Sequence, residues 1–397
     1  PIADPETSRR CWSAIEKIER GLVGSTSPDG GPRLAGGHAG LALFFAYLGA
    51  ERACEETSDR ALAALDRSIA GLAESLLPPS LYSGFSGIGW AAEHLARELF
   101  EMEDDLSADL EEALREILSS AGSLQFELIN GLSGFGVYLI ERLPRPGAAE
   151  LLGRIVDRLA ATAEESESGI AWFTPPEWIP DVQKSTRPDG CYNLGVSHGI
   201  SGVLGFLAAA RRAGLGDGRI AHLAEGTVRW LLRQKLPETD RSVFASSFAP
   251  GEAPAPAHTA WCYGDIGVAA VLLSAAQAFG RADWQEEALA IARLAARRSP
   301  EAAGIREAGL CHGTAGLAQI FNRFHQATGD GEMKEAALAW CRRTLERTLE
   351  IERSWQAEPG FLLGAAGVGL ALLAAVSNVE PVWDRVLLIS IPPDGLT

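Results

Sequence analysis

The chain has no run of apolar residues long enough to cross a bilayer: its longest stretches, such as Leu41 to Gly49 and Val203 to Ala210, fall well short of the roughly 18 residues a spanning helix needs. It also lacks a basic surplus. With 35 Lys and Arg against 52 Asp and Glu, the net charge is −17, and no basic cluster is present to track a phosphate backbone, which argues against nucleic acid as a partner. Pro1 to Arg10 carry no secretory apolar segment, so a cytoplasmic location is the default, and Pro1 is not an initiator residue, which leaves open whether the chain is trimmed. Cysteine is scarce as well. Six residues in 397, at Cys11, Cys54, Cys191, Cys262, Cys311 and Cys341, are too few for a disulfide scaffold. Cys11, Cys54 and Cys341 read as buried free thiols.

What is abundant is glycine, and it is periodic. Gly-x-x-Gly followed by a helix-length apolar stretch occurs seven times, beginning at Gly37, Gly84, Gly131, Gly199, Gly264, Gly313 and Gly364. Successive starts lie 47, 47, 68, 65, 49 and 51 residues apart. Segments such as Leu41 to Leu48 are apolar on every side and predict helices buried all round. The intervening segments are amphipathic at steps of three and four: Leu62/Leu65/Ile69/Leu72/Leu76, Leu151/Ile155/Leu159, Ile220/Leu223/Thr227/Trp230 and Trp284/Ala288/Ile291/Ala295.

Seven buried helices alternating with covering helices predict an all-α fold, an α/α toroid of seven inner helices surrounded by outer ones, forming a single domain over 1–397. An open solenoid would leave the inner helices a solvent face, and these show none. Two intervals exceed the period by about 20 residues and are rich in proline, which excludes helix interiors. They predict loop insertions at 165–192 and 236–258, near the mouth of the site.

Residues just before each first glycine share one structural register and should gather at one end of the fold. Cys262 lies two before Gly264, Cys311 and His312 lie two and one before Gly313, and His198 lies one before Gly199. Cys262, Cys311 and His312 therefore form a candidate zinc triad with an open fourth position, the arrangement of catalytic zinc; His198 as a fourth ligand would make the site structural. Two thiolates and a neutral imidazole cancel the ion's formal charge, which weakens it as a Lewis acid and suits it to thiolate binding. Coordination deprotonates a thiol whose free pKa is about 8.5, so thiol addition is the expected chemistry rather than hydrolysis.

Trp261-Cys262-Tyr263-Gly264, Cys311-His312-Gly313 and Ser197-His198-Gly199 resemble the signature of the lanthionine synthetase C-like family, and all seven repeats take part in the resemblance. Leu34-Ala35-Gly36-Gly37-His38-Ala39-Gly40-Leu41 and Trp383-Asp384-Arg385-Val386-Leu387-Leu388 look most like its free-standing class I cyclases. The resemblance implies a helical toroid, a central Zn2+, and a precursor peptide dehydrated at Ser and Thr by a partner dehydratase, in a synthetase complex associated with a membrane. It implies addition of peptide Cys thiolates to dehydroalanine or dehydrobutyrine, giving lanthionine or methyllanthionine rings, with His198 transferring the proton. Two positions depart from the family pattern. Glu127 stands where Asp is usual, and His258 where Arg is usual, four residues before Cys262. Glu127 remains able to orient His198, and Tyr263, beside a ligand, is a candidate substrate contact. His38 reads as structural, and His94, His222 and His325 as surface or helix residues.

Two other readings use the same residues: addition of a small thiol such as glutathione to dehydrated proteins, or a non-catalytic scaffold for a leader peptide or the dehydratase with structural zinc. A toroidal glycosidase would need two facing carboxylates, and Glu127 is the sole obvious candidate on the register. The precursor, ring pattern, stereochemistry and oligomeric state are not encoded in any residue pattern recognised in the chain.

Overall fold

A computed structural model describes residues 1–23, 31–100, 105, 107–179, 184–216, 218–237, 241–351 and 358–393. Helices α1 (Pro5–Val23), α2 (His38–Arg52), α3 (Glu55–Glu74), α4 (Phe85–Glu98), α5 (Ala108–Ser119), α6 (Leu132–Glu141) and α7 (Pro146–Thr162) come first. Strands β1 (Glu164–Ser166), β2 (Gly169–Ala171) and β3 (Tyr192–Asn193) follow, then α8 (Ile200–Arg212), α9 (Gly218–Leu232) and β4 (Ser247–Phe248). The remainder is α10 (Asp265–Phe279), α11 (Ala282–Ala296), α12 (Pro300–Ala303), α13 (Thr314–Thr328), α14 (Gly331–Ile351) and α15 (Ala365–Val376). Among the described residues no helix is long and apolar enough to cross a membrane.

Every Gly-x-x-Gly marks the start of a helix, and the first glycine is the N-cap of α2, α4, α6, α8, α10, α13 and α15. None of these caps uses a side chain, although the first N–H groups of a helix have no partner within it. The preceding turn supplies the acceptors instead. The first helical N–H bonds a carbonyl seven residues upstream in His38→Gly31, Phe85→Pro78, Leu132→Gln125, Thr314→Glu307 and Ala365→Glu358, at 2.8–3.0 Å. Serine in the third motif position repeats the device: the hydroxyls of Ser86, Ser133 and Ser201 donate to Pro79, Phe126 and Leu194 at 2.6 Å. A turn folded back this tightly leaves no space for a Cβ. At Gly367 one would overlap the Phe361 carbonyl and crowd the Leu310 side chain of the neighbouring repeat.

The chain divides into two compact units, Pro1–Leu114 with Arg306–Ser390, and Arg115–Ile305 with Ile391–Thr397. In the first, the inner helices pack in the order α13, α15, α2, α4, with α3, α14 and α1 covering them. The seventh repeat is thus the neighbour of the first: Leu362 N–H donates to Ala35 at 3.0 Å, and Phe44 fills the space opposite Gly369. An open solenoid would keep these repeats apart. In the second unit α6, α8 and α10 pack in sequence under α7, α9 and α11.

Helix α2 is buried from Ala39 to Gly49, as its all-round apolar sequence requires. Helix α13 is less uniform than expected. It buries Gln319, Asn322 and Arg323, and Asp384 compensates: one carboxylate takes Arg323 Nε at 2.6 Å, Arg323 Nη2 at 3.0 Å and Gln319 Nε2 at 2.7 Å. The buried faces of the covering helices α7, α9 and α11 lie on the expected residues. That of α3 is rotated onto Ala61, Ala64, Leu65, Ser68 and Gly71, while Leu62, Ile69 and Leu72 are half-buried and Leu76 lies exposed beyond the helix end. Small residues win there because α3 sits close against the preceding turn, with Pro32 over Gly71 and its carbonyl accepting from Ser68.

The segments 165–192 and 236–258 acquire local order. Residues 180–183 and 238–240 of them lie outside the described set. β1 and β2 form an antiparallel hairpin, and β3 pairs with β4, so one insertion is stitched to the other by Tyr192–Phe248 and Asn193–Ser247. An ion pair from Arg187 to Glu252 at 2.7 Å adds to the seam.

Candidate metal centre and proton-transfer pair

The turns before the inner helices are tied to one another by backbone hydrogen bonds. In the first unit Cys311 N–H donates to Leu362, Leu362 to Ala35, and Ala35 to Tyr82, at 2.9–3.0 Å. In the second, Leu128 donates to Ser197 at 3.2 Å and Ser197 to Cys262 at 3.4 Å. Tyr82, Ala35, Leu362 and Cys311 all stand two residues before their motif glycine, as do Ser197 and Cys262. Shared register in the sequence thus becomes adjacency of turns within each unit. Gly195 makes room for the approach at Cys262, since a Cβ there would overlap the Cys262 carbonyl and meet the Tyr263 ring.

Cys262 is buried, whereas Cys311 and His312 are half-buried. Their two sulfurs and a ring nitrogen all lie within 4.8 Å of one another, a group of donors able to hold a metal ion. No disulfide joins any of the six cysteines, which all lie among the described residues, so neither Cys262 nor Cys311 is committed to one. Two sulfurs and one imidazole nitrogen are the donor types zinc takes, and separations below 4.8 Å suit ligands around one ion at Zn–S of about 2.3 Å and Zn–N of about 2.0 Å.

Glu127 and His198 form the second element of the site. Glu127 is buried, and its oxygens accept the backbone N–H groups of Ile129, at 3.0 Å, and Asn130. The oxygen that binds Ile129 also faces His198 Nδ1 at 2.7 Å. The methylene by which Glu exceeds Asp is therefore taken up within the turn, and the carboxylate still reaches the ring. Burial disfavours the imidazolium, but the hydrogen bond and charge of Glu127, with the Cys262 sulfur adding to them, outweigh it and hold the His198 pKa above its ordinary value.

Tyr263 stacks on His198, with ring centroids 6.2 Å apart. Its phenol is pushed up to about 12, chiefly by burial, while hydrogen bonds to Asn193 and Ser197 act in the opposite sense. His258 is exposed, with its ring against Gly304. The cation close to this segment is Arg298, which donates to Thr259 at 3.0 Å and is buried in an ion pair with Asp265.

The other histidines are accounted for locally. His38 Nδ1 is buried without a hydrogen-bond partner, and burial followed by Arg67 lowers its pKa. His94 is on a helix but wholly buried, 2.8 Å from Tyr47 and stacked on Trp90. His222 meets Glu165, and His325 the carbonyl of Asp330. Cys11 and Cys341 are buried with their sulfurs 3.6 Å apart, whereas Cys54 is half-buried rather than buried.

A model of the lanthionine synthetase C-like protein family matches residues 28–388. The chain belongs to that family. Among curated proteins it is similar to the nisin biosynthesis protein NisC of Lactococcus lactis subsp. lactis, at 25% identity over 215 residues, which are 50% of this chain and 51% of the relative. The chain thus spans about half the length of that relative in the match. Among solved structures it is similar to a nisin cyclase, with a TM-score of 0.80 and 22% identity over 97% of this chain and 98% of the other. This likeness shows the fold, and the α/α toroid expected from the seven repeats is the fold of this lanthionine synthetase C-like chain.

Sequence reasoning overlooked Glu307, whose carboxylate lies 2.9 Å from His312 Nε2. It stands six residues before Gly313, the register position held in other repeats by Asn193 and His258. Polar residues at that position were the available signal.

Proposed function

We propose that the chain is a zinc-dependent lanthipeptide cyclase that adds peptide Cys thiols to dehydroalanine or dehydrobutyrine, forming lanthionine or methyllanthionine rings. The clustering of Cys262, Cys311 and His312 donors carries this reading, together with family membership. These three residues would hold the ion, a ligand set that would let a substrate thiol join them. Bound there, zinc supplies a Lewis acid that favours the thiolate form of a substrate cysteine.

His198 transfers the proton. Glu127 accepts the Nδ1 hydrogen, which presents Nε2 to the reacting groups as base toward the thiol or, once protonated, as acid toward Cα. The C–S bond forms at the β-carbon, and the proton lost from sulfur is balanced by the one gained at Cα. Tyr263, held by Asn193 and Ser197, is the substrate contact beside His198. His258 is the candidate donor to the enolate oxygen, at an exposed position in keeping with a contact formed only when peptide is bound.

Within this reading the two stitched insertions, 165–192 and 236–258, border the site of a single toroidal domain spanning 1–397. The substrate is a precursor peptide dehydrated by a partner dehydratase, in a complex that associates with a membrane. Two zinc thiolates require reduced cysteines, and the six free thiols support a cytoplasmic setting.

The test is incubation of a dehydrated, cysteine-containing precursor with the zinc-loaded protein, followed by thiol alkylation and mass analysis. Ring closure leaves the mass unchanged but removes alkylatable thiols. Loss of both zinc and ring closure in Cys262→Ala and Cys311→Ala supports the proposal. Full cyclisation by a zinc-free variant would sink it, and adducts formed only with added glutathione would reassign the substrate.

A further inference from the structure

We propose that Glu307 is a positioning residue for His312, fixing its tautomer and ring orientation toward the metal. The inference rests on the metal-centre reading above. Glu307 Oε2 lies 2.9 Å from Nε2 of His312, so the carboxylate accepts the Nε2 hydrogen and assigns Nδ1 to the ligand set. A neutral imidazole has one donor and one acceptor nitrogen, and the partner of the first decides which nitrogen becomes the ligand.

The backbone holds the two groups together. Thr314 N–H donates to the Glu307 carbonyl at 2.9 Å, and Glu307 forms a parallel bridge with Gly313. The helix start following His312 is therefore closed onto Glu307 itself. The backbone at the cap of α13 thus keeps the two residues side by side, and the carboxylate–imidazole contact sets the orientation of the ring. Cys311 is tied to the next repeat through Leu362, so both ligands on this turn are held from outside the metal.

A carboxylate on the distal nitrogen raises the basicity of a ligating imidazole and reduces the freedom it loses on binding, an effect of about 10- to 100-fold in metal affinity. Glu307 is 61% exposed, so solvent screening places it near the lower end, about tenfold.

Zinc affinity measured by chelator competition on the full chain tests this. Glu307→Ala should bind zinc about tenfold more weakly with an unchanged circular dichroism spectrum. Glu307→Gln, which retains an acceptor without the charge, should recover part of the loss. In 15N spectra of the zinc-loaded protein, His312 should keep one tautomer in the wild type and lose the downfield-shifted Nε2 proton in Glu307→Ala. Affinity of Glu307→Ala within twofold of wild type, or an unaltered Nε2 proton, overturns the proposal. Cys311→Ala separates the two levels. If it retains wild-type zinc affinity, the metal centre itself is wrongly assigned; if it loses zinc while Glu307→Ala does not, only the role of Glu307 fails.

Discussion

At the scale of single residues, the site depends on groups whose charge is set by neighbours rather than by type. His198 is drawn toward neutrality by burial and toward charge by Glu127 and the Cys262 sulfur, and the second influence prevails. In Glu127→Gln the opposing charge is lost while burial remains, so the His198 pKa should fall, a shift that NMR titration of its ring protons would read. On the proposed function the basic form that accepts a thiol proton would then persist to lower pH, moving the acid limb of the rate profile down. The linkage sign follows from the same shift. A pKa raised on folding stabilises fully below the ordinary value of about 6.5, and this contribution disappears as pH rises through the folded value. His198→Ala should slow ring closure by about 10²- to 10⁴-fold, the range of a lost general acid–base group, with zinc content unchanged.

At the scale of elements, the repeated unit is a turn that caps its own helix through carbonyls seven residues upstream. Glycine is required there by backbone contact, not by a left-handed conformation. Gly367→Ala should destabilise the protein by about 1–3 kcal/mol in denaturant unfolding, because the Phe361 carbonyl and Leu310 must both yield. Helix α13 offers a larger effect. Arg323 is buried, and Asp384→Ala would leave its guanidinium without its bidentate partner, a loss of about 3–5 kcal/mol. Repeats and helix positions were legible in the sequence because glycine spacing and apolar periodicity report local backbone needs. The face of α3 was misjudged because large apolar residues do not reveal where small ones permit a close approach. Arg323 and Asp384 were not seen as a pair, since 61 residues separate them.

At the scale of the molecule, the neighbouring of the first and seventh repeats makes the terminal elements part of the core. Helix α1 packs on α15 and buries Cys11, Ile15, Ile18 and Leu22. Deleting residues 1–23 should remove on the order of 1.5–3 kcal/mol per large side chain, comparable in sum with the whole stability of a domain. A lowered melting temperature and aggregation of the truncated chain would reveal it. Zinc removal should act differently. Hydrogen-bonded turns secure the backbone that carries Cys262, Cys311 and His312, so on the proposed function chelation should abolish ring closure while the helical circular dichroism persists.

The sequence by itself determined the seven repeats, the alternation of buried and covering helices, and the register that selects Cys262, Cys311, His312 and His198. Each is a local property, written in glycine spacing and in the residues immediately before a helix start. Tertiary structure alone decided which other groups meet: Glu307 with His312, Asp384 with Arg323, and one insertion with the other. The physical reason is that a hydrogen bond depends on two side chains arriving within about 3 Å, and sequence periodicity fixes the direction in which a side chain leaves the backbone without fixing what waits for it.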